Sequence, residues 1–62
     1  MTQKELLYVE DAIEHEKAII KIINNSLTNL SQEYLSFMKE EQNTHQNILD
    51  NLISLLKETA HE

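Results

Sequence analysis

The sequence predicts an all-α protein: an antiparallel two-helix hairpin that dimerises into a four-helix bundle. Three observations predict it. Apolar residues recur at steps of three and four along nearly the whole chain, the spacing of a helix face. The 62 residues include no Gly and no Pro, so nothing breaks a helix and nothing supplies the positive φ of tight β-hairpin turns. One polar, weakly helical stretch, Asn24-Asn25-Ser26-Leu27-Thr28-Asn29, interrupts the pattern near mid-chain.

Helix 1 is expected over about residues 3–26. Thr2 and Glu5 form a T-x-x-E capping box, which starts the helix near Gln3. Leu6, Val9, Ile13, Ile20, Ile23, Leu27 and Leu30 form its a/d seam. The turn falls within residues 26–31, where an Asn is expected to supply the left-handed residue that ends a helix when Gly is missing. Helix 2 is expected over about residues 32–58. Ser31 is its N-cap, and Glu33 in its first turn suits the helix dipole. Leu30 and Leu35 form a hydrophobic staple across that start. Its seam is Leu35, Met38, Leu49, Leu52 and Leu56, and the tail from Thr59 to Glu62 is expected to fray. The single hairpin domain thus takes in residues 1–62.

Two long helices joined by a short turn lie antiparallel. Each also carries a second apolar stripe: Ala12, Ile19 and Ile22 on helix 1, and Tyr34, Phe37, Ile48, Ile53 and Leu55 on helix 2. A lone hairpin cannot cover so wide a face, whereas two hairpins packed as a bundle can. A chain this small needs a staple, a metal or a partner. With no Cys, disulfides and thiolate metal sites are excluded. A homodimer or higher homo-oligomer is therefore expected.

Eleven Asp and Glu against 5 Lys give a net charge of −6, which excludes nucleic acid and anionic membrane as partners. No apolar run is long enough to span a bilayer, and no apolar stretch follows Met1 as a signal peptide requires, so a cytoplasmic location is expected. No Ser–His–Asp arrangement, Gly-rich phosphate loop or H-E-x-x-H motif is present, and a non-enzymatic role is expected.

The seam has two gaps. Glu16 stands between Ile13 and Ile20, and Gln42 and His45 stand between Met38 and Leu49. With the chain folded about residue 29, Glu16 and Gln42 are equally far from the turn, so the gaps meet in one polar layer, with Glu41 at its edge. Buried charge is costly unless it is paired or binds a metal. One reading is a Glu16–His45 ion pair with Gln42 bonded beside it, fixing register. The other is a metal site, since carboxylates and imidazoles on facing helices hold iron, manganese or zinc in bundle proteins; its candidate ligands are Glu16, His45, Glu41 and Gln42. His15 on the outer face and His61 in the tail read as solvated, as do ion pairs of Lys17 and Lys21 with Glu14 and Asp11.

The run Lys4-Glu5-Leu6-Leu7-Tyr8-Val9-Glu10-Asp11-Ala12-Ile13-Glu14-His15-Glu16 resembles the first helix of small spore coat protein F-like chains. Ser31 to Met38, followed by His45-Gln46, resembles their second helix. The resemblance implies a ferritin-like bundle, a structural role and incorporation in a spore coat. It places Glu16 at the first ligand position and His45 at the His of a Glu-x-x-His pair. Gln42 stands where that pair has its acid, which removes the carboxylate that bridges two irons. Separately, Ser31-Gln32-Glu33 is similar to the start of the second helix in hairpin phosphatases of sporulation response regulators. That similarity implies binding to a receiver domain, but Tyr34-Leu35 replaces the catalytic Leu-Asp.

Overall fold

In a computed structural model the chain is described over residues 1–60, with side chains through residue 58. It forms an antiparallel hairpin of α1 (Gln3–Ser26) and α2 (Gln32–Ala60), packed against each other. Helix α2 runs two residues beyond its expected end. His61, and with it the remainder of the tail expected to fray, lies outside the described residues.

The capping box forms as the sequence predicts. Glu5 N–H donates to Thr2 Oγ1 at 3.1 Å, and Thr2 N–H donates to Glu5 Oε1 at 2.8 Å. The Thr2 backbone bond, then its side chain, holds the Glu5 carboxyl below the usual carboxylate range. A depressed carboxyl contributes stability above its ordinary range, and that stability is lost as pH falls through the folded value. Thr2→Ala is therefore expected to cost about 1 kcal/mol at neutral pH and less in acid, as read by melting curves at both pH values.

The turn departs from expectation. Among the described residues none has positive φ. Without Gly, a left-handed residue is penalised by its Cβ. The chain instead tightens its end with three-residue bonds: Leu27 N–H to Asn24 O at 3.4 Å and Asn29 N–H to Ser26 O at 3.1 Å. Ser26 Oγ also donates to Ile23 O at 2.7 Å. At the start of α2, Ser31 O accepts from Tyr34 N–H at 3.1 Å and from Leu35 N–H at 2.9 Å, and both staple leucines are half-buried.

The Cα envelope measures 46 × 14 × 11 Å, so the hairpin is two helices wide and one helix thick. No third layer closes over the seam, and burial is shallow in consequence. Ile13, Ile23 and Leu49 are the buried hydrophobics among the described residues, while the other seam residues stay half-buried.

Each residue advances about 100° round a helix. With the helices antiparallel, that rotation sends Tyr8, Ile19 and Ile22 of α1 and Tyr34, Phe37, Ile48 and Leu55 of α2 to the same side of the hairpin. The opposite side carries Glu10, Glu14, Lys17 and Lys21 of α1 and Lys39, Gln46, Asp50 and Lys57 of α2. Ile53, expected in the apolar stripe, turns instead to the charged flank and is half-buried there. The hairpin is thus a two-faced plate, with His15 set between Tyr8 and Ile22 on the apolar side and the exposed Leu7 on the far side of α1. Its apolar face leaves Tyr8 62%, Ile22 67%, Tyr34 58% and Phe37 57% exposed.

Candidate functional site

The polar gaps of the two seams meet. His45 Nδ1 lies 2.6 Å from Glu16 Oε2, a hydrogen bond between α2 and α1 near mid-helix. Both side chains are largely covered, Glu16 at 15% and His45 at 22% exposure. The other ring nitrogen, Nε2, lies 3.6 Å from Glu41 Oε2 one turn back on α2. That spacing is an ion-pair contact beyond hydrogen-bond length. One imidazole therefore sits between two carboxylates. By helical rotation all three groups lean from the seam towards the apolar face.

Gln42 does not join them. Its Nε2 donates to Asn24 Oδ1 on the other flank of the seam. The reason is rotational. Gln42 lies about 60° round α2 from His45, towards the charged side, where Asn24 projects from α1. The amide expected beside Glu16 thus makes a second inter-helix clasp. Asn24 carries no signal of this role in the sequence: it lies inside expected helix 1, in the polar stretch before the turn, and only the closing of the hairpin sets it opposite Gln42.

Among the described residues, no three His, Cys, Asp or Glu side chains are placed together to hold a metal ion. His45 Nδ1 is engaged by Glu16, and Gln42 points away, so one chain does not present the donor set of a di-iron centre. A metal taken by His45 Nε2 would leave the Nδ1–Glu16 bond in place, with Glu41 as the adjacent donor, and would need further ligands beyond these two. Adding zinc, manganese or iron(II) is expected to leave the melting temperature unchanged in a thermal-shift titration. A rise of several degrees would overturn that expectation.

The remaining polar groups are peripheral. His15 is exposed, and His61 lies outside the described residues. Lys17 Nζ and Glu14 Oε1 form a surface pair at 3.5 Å, worth a few tenths of a kcal/mol. Lys4 Nζ stands 6.0 Å from the Tyr8 ring centre, laying a cation beside one exposed aromatic. A shallow groove of about 380 Å³ lies on the charged side, lined by Glu10, Asp11, Ile13, Glu14, Lys17 and Leu56. It lies away from the Glu16–His45 pair. No helix is long and apolar enough to cross a membrane among the described residues.

No family model matches the chain, and neither a curated protein nor a solved structure gives a significant match. The likeness to spore coat chains is carried only by the residues quoted for it above.

Proposed function

We propose that this chain is a non-catalytic structural building block. Two copies cover each other's apolar face and form a four-helix bundle, with the Glu16–His45 pair fixing helix register inside it. The observation that carries the reading is that Tyr8, Ile22, Tyr34, Phe37, Ile48 and Leu55 are exposed on one side of a plate one helix thick, with Leu7 the exposed hydrophobic that departs from it.

Surface area supports it. The hairpin exposes 4875 Å², against about 4,200 Å² for a compact monomer of 7.3 kDa. The excess of roughly 700 Å² reflects a thin, elongated shape with little interior, and a standard interface would bury ~800 Å² on each copy. Among the described residues, Ile13, Ile23 and Leu49 alone are buried, too small a core for a stable lone chain, which supports the coupling of folding to pairing. The net charge of −6 supports a protein partner over nucleic acid or an anionic membrane.

The test is sedimentation equilibrium over a hundredfold concentration range, with melting curves at each concentration. A dimer whose melting temperature rises with concentration is the expected result. A monomer with a concentration-independent melting temperature would contradict the reading.

A further inference from the structure

We propose that the two hairpins pair with their turns at the same end, so that Glu16 and His45 of the two copies alternate around the bundle axis. The inference rests on the dimer proposed above and specifies its geometry.

Two faces related by a two-fold axis can meet in two ways. With the axis along the helices, both turns lie at one end and α1 of each copy packs on α2 of the other. With the axis across the helices, the turns lie at opposite ends, α1 packs on α1 and α2 packs on α2. Neighbouring helices are antiparallel in both, so helix dipoles do not choose between them.

The polar layer does choose. Glu16 and His45 stand at one level, as their 2.6 Å contact shows, and both lean towards the face that the second copy covers. With turns together, the order round the axis is Glu16, His45, the partner's Glu16, the partner's His45. Every carboxylate then lies between two imidazoles. His45 Nδ1 is already bonded to Glu16 of its own chain. In the imidazolium form both ring nitrogens donate, and Nε2, which has the 3.6 Å contact with Glu41, can then donate to the partner's Glu16, whose second oxygen accepts.

With turns opposed, Glu16 neighbours the partner's Glu16 and His45 neighbours the partner's His45. Like charges then meet where water is excluded, the costly case. With turns together, counting from the Glu16–His45 level, Ile48 comes within one residue of the partner's Ala12, Phe37 within two of the partner's Ile22 and Leu55 within two of the partner's Tyr8, so apolar side chains meet one another.

The chain has no native Cys, so one introduced thiol labels one site. Asn29→Cys, in the exposed turn, is spin-labelled and its dimer confirmed by sedimentation; Thr28→Cys is the second site if the first variant misfolds. Pulsed electron–electron spectroscopy then reads the distance between labels. Turns together predict a single distance below about 30 Å, one helix spacing plus two label tethers. A distance near the 46 Å length of the hairpin would overturn this orientation while leaving the dimer intact. A monomer at every concentration would overturn both proposals.

Discussion

Phe37→Glu is expected to abolish self-association. Phe37 is 57% exposed in the hairpin and stands in the part of the apolar face nearest the turn, with Tyr34 and Ile22. In a lone chain the substitution replaces an exposed ring by an exposed carboxylate, which costs almost nothing. In the dimer it buries an unpaired charge amid aliphatic and aromatic side chains, at several kcal/mol for each of two symmetric sites. The dimer is expected to dissociate by at least a thousandfold, and the melting temperature to fall with it, because the isolated hairpin has so little core. Glu14→Gln, on the charged side, is the control and is expected to leave both quantities unchanged. Sedimentation and thermal melting of the two variants check the prediction. Equal behaviour would show that the apolar face is not the interface.

The second large effect is an asymmetry within the polar layer. His45→Leu is expected to destabilise the fold by about 2 kcal/mol or more, because it strands Glu16 at 15% exposure with no donor facing it. The estimate stands below the 3–5 kcal/mol of a fully buried pair because both groups keep some water. For a chain of this size it corresponds to a melting-temperature drop on the order of 10 °C. Glu16→Leu leaves an imidazole that still has Glu41 beside it, and is expected to be near neutral or stabilising. The double variant is expected to recover most of the loss, giving a strong coupling in a double-mutant cycle. Additive effects would mean that the 2.6 Å contact does not contribute as a pair.

How far the sequence could be read depended on which geometrical rule each feature obeys. The start of α1 was legible to the residue, because a capping box is a local hydrogen-bond pattern that needs no tertiary contact. The meeting of Glu16 with His45 was legible too: polar gaps in two apolar seams must face each other once the hairpin closes. Gln42 and Ile53 stand on the charged flank because seam positions three residues apart lie about 60° apart round a helix, so the two edges of one seam lean to different sides: Gln42 is that far from His45, and Ile53, four residues after Leu49, shares the edge of Gln42. The turn was misread for a different reason. Its residues were matched to a motif that relies on positive φ, whereas a chain without Gly ends its helix more cheaply by tightening the last bonds. The exposure of Tyr8, Ile22 and Phe37 on one side belongs to the assembled hairpin, where the second stripes of both helices, legible in the sequence, come to lie together.

Self-pairing is the proposal on which the other predictions depend, and the mass in solution as a function of concentration decides it. A species of twice 7.3 kDa that dissociates on dilution, with helical signal lost as it does so, is the expected result. A helical, 7.3 kDa monomer that keeps its melting temperature across a hundredfold dilution would contradict it.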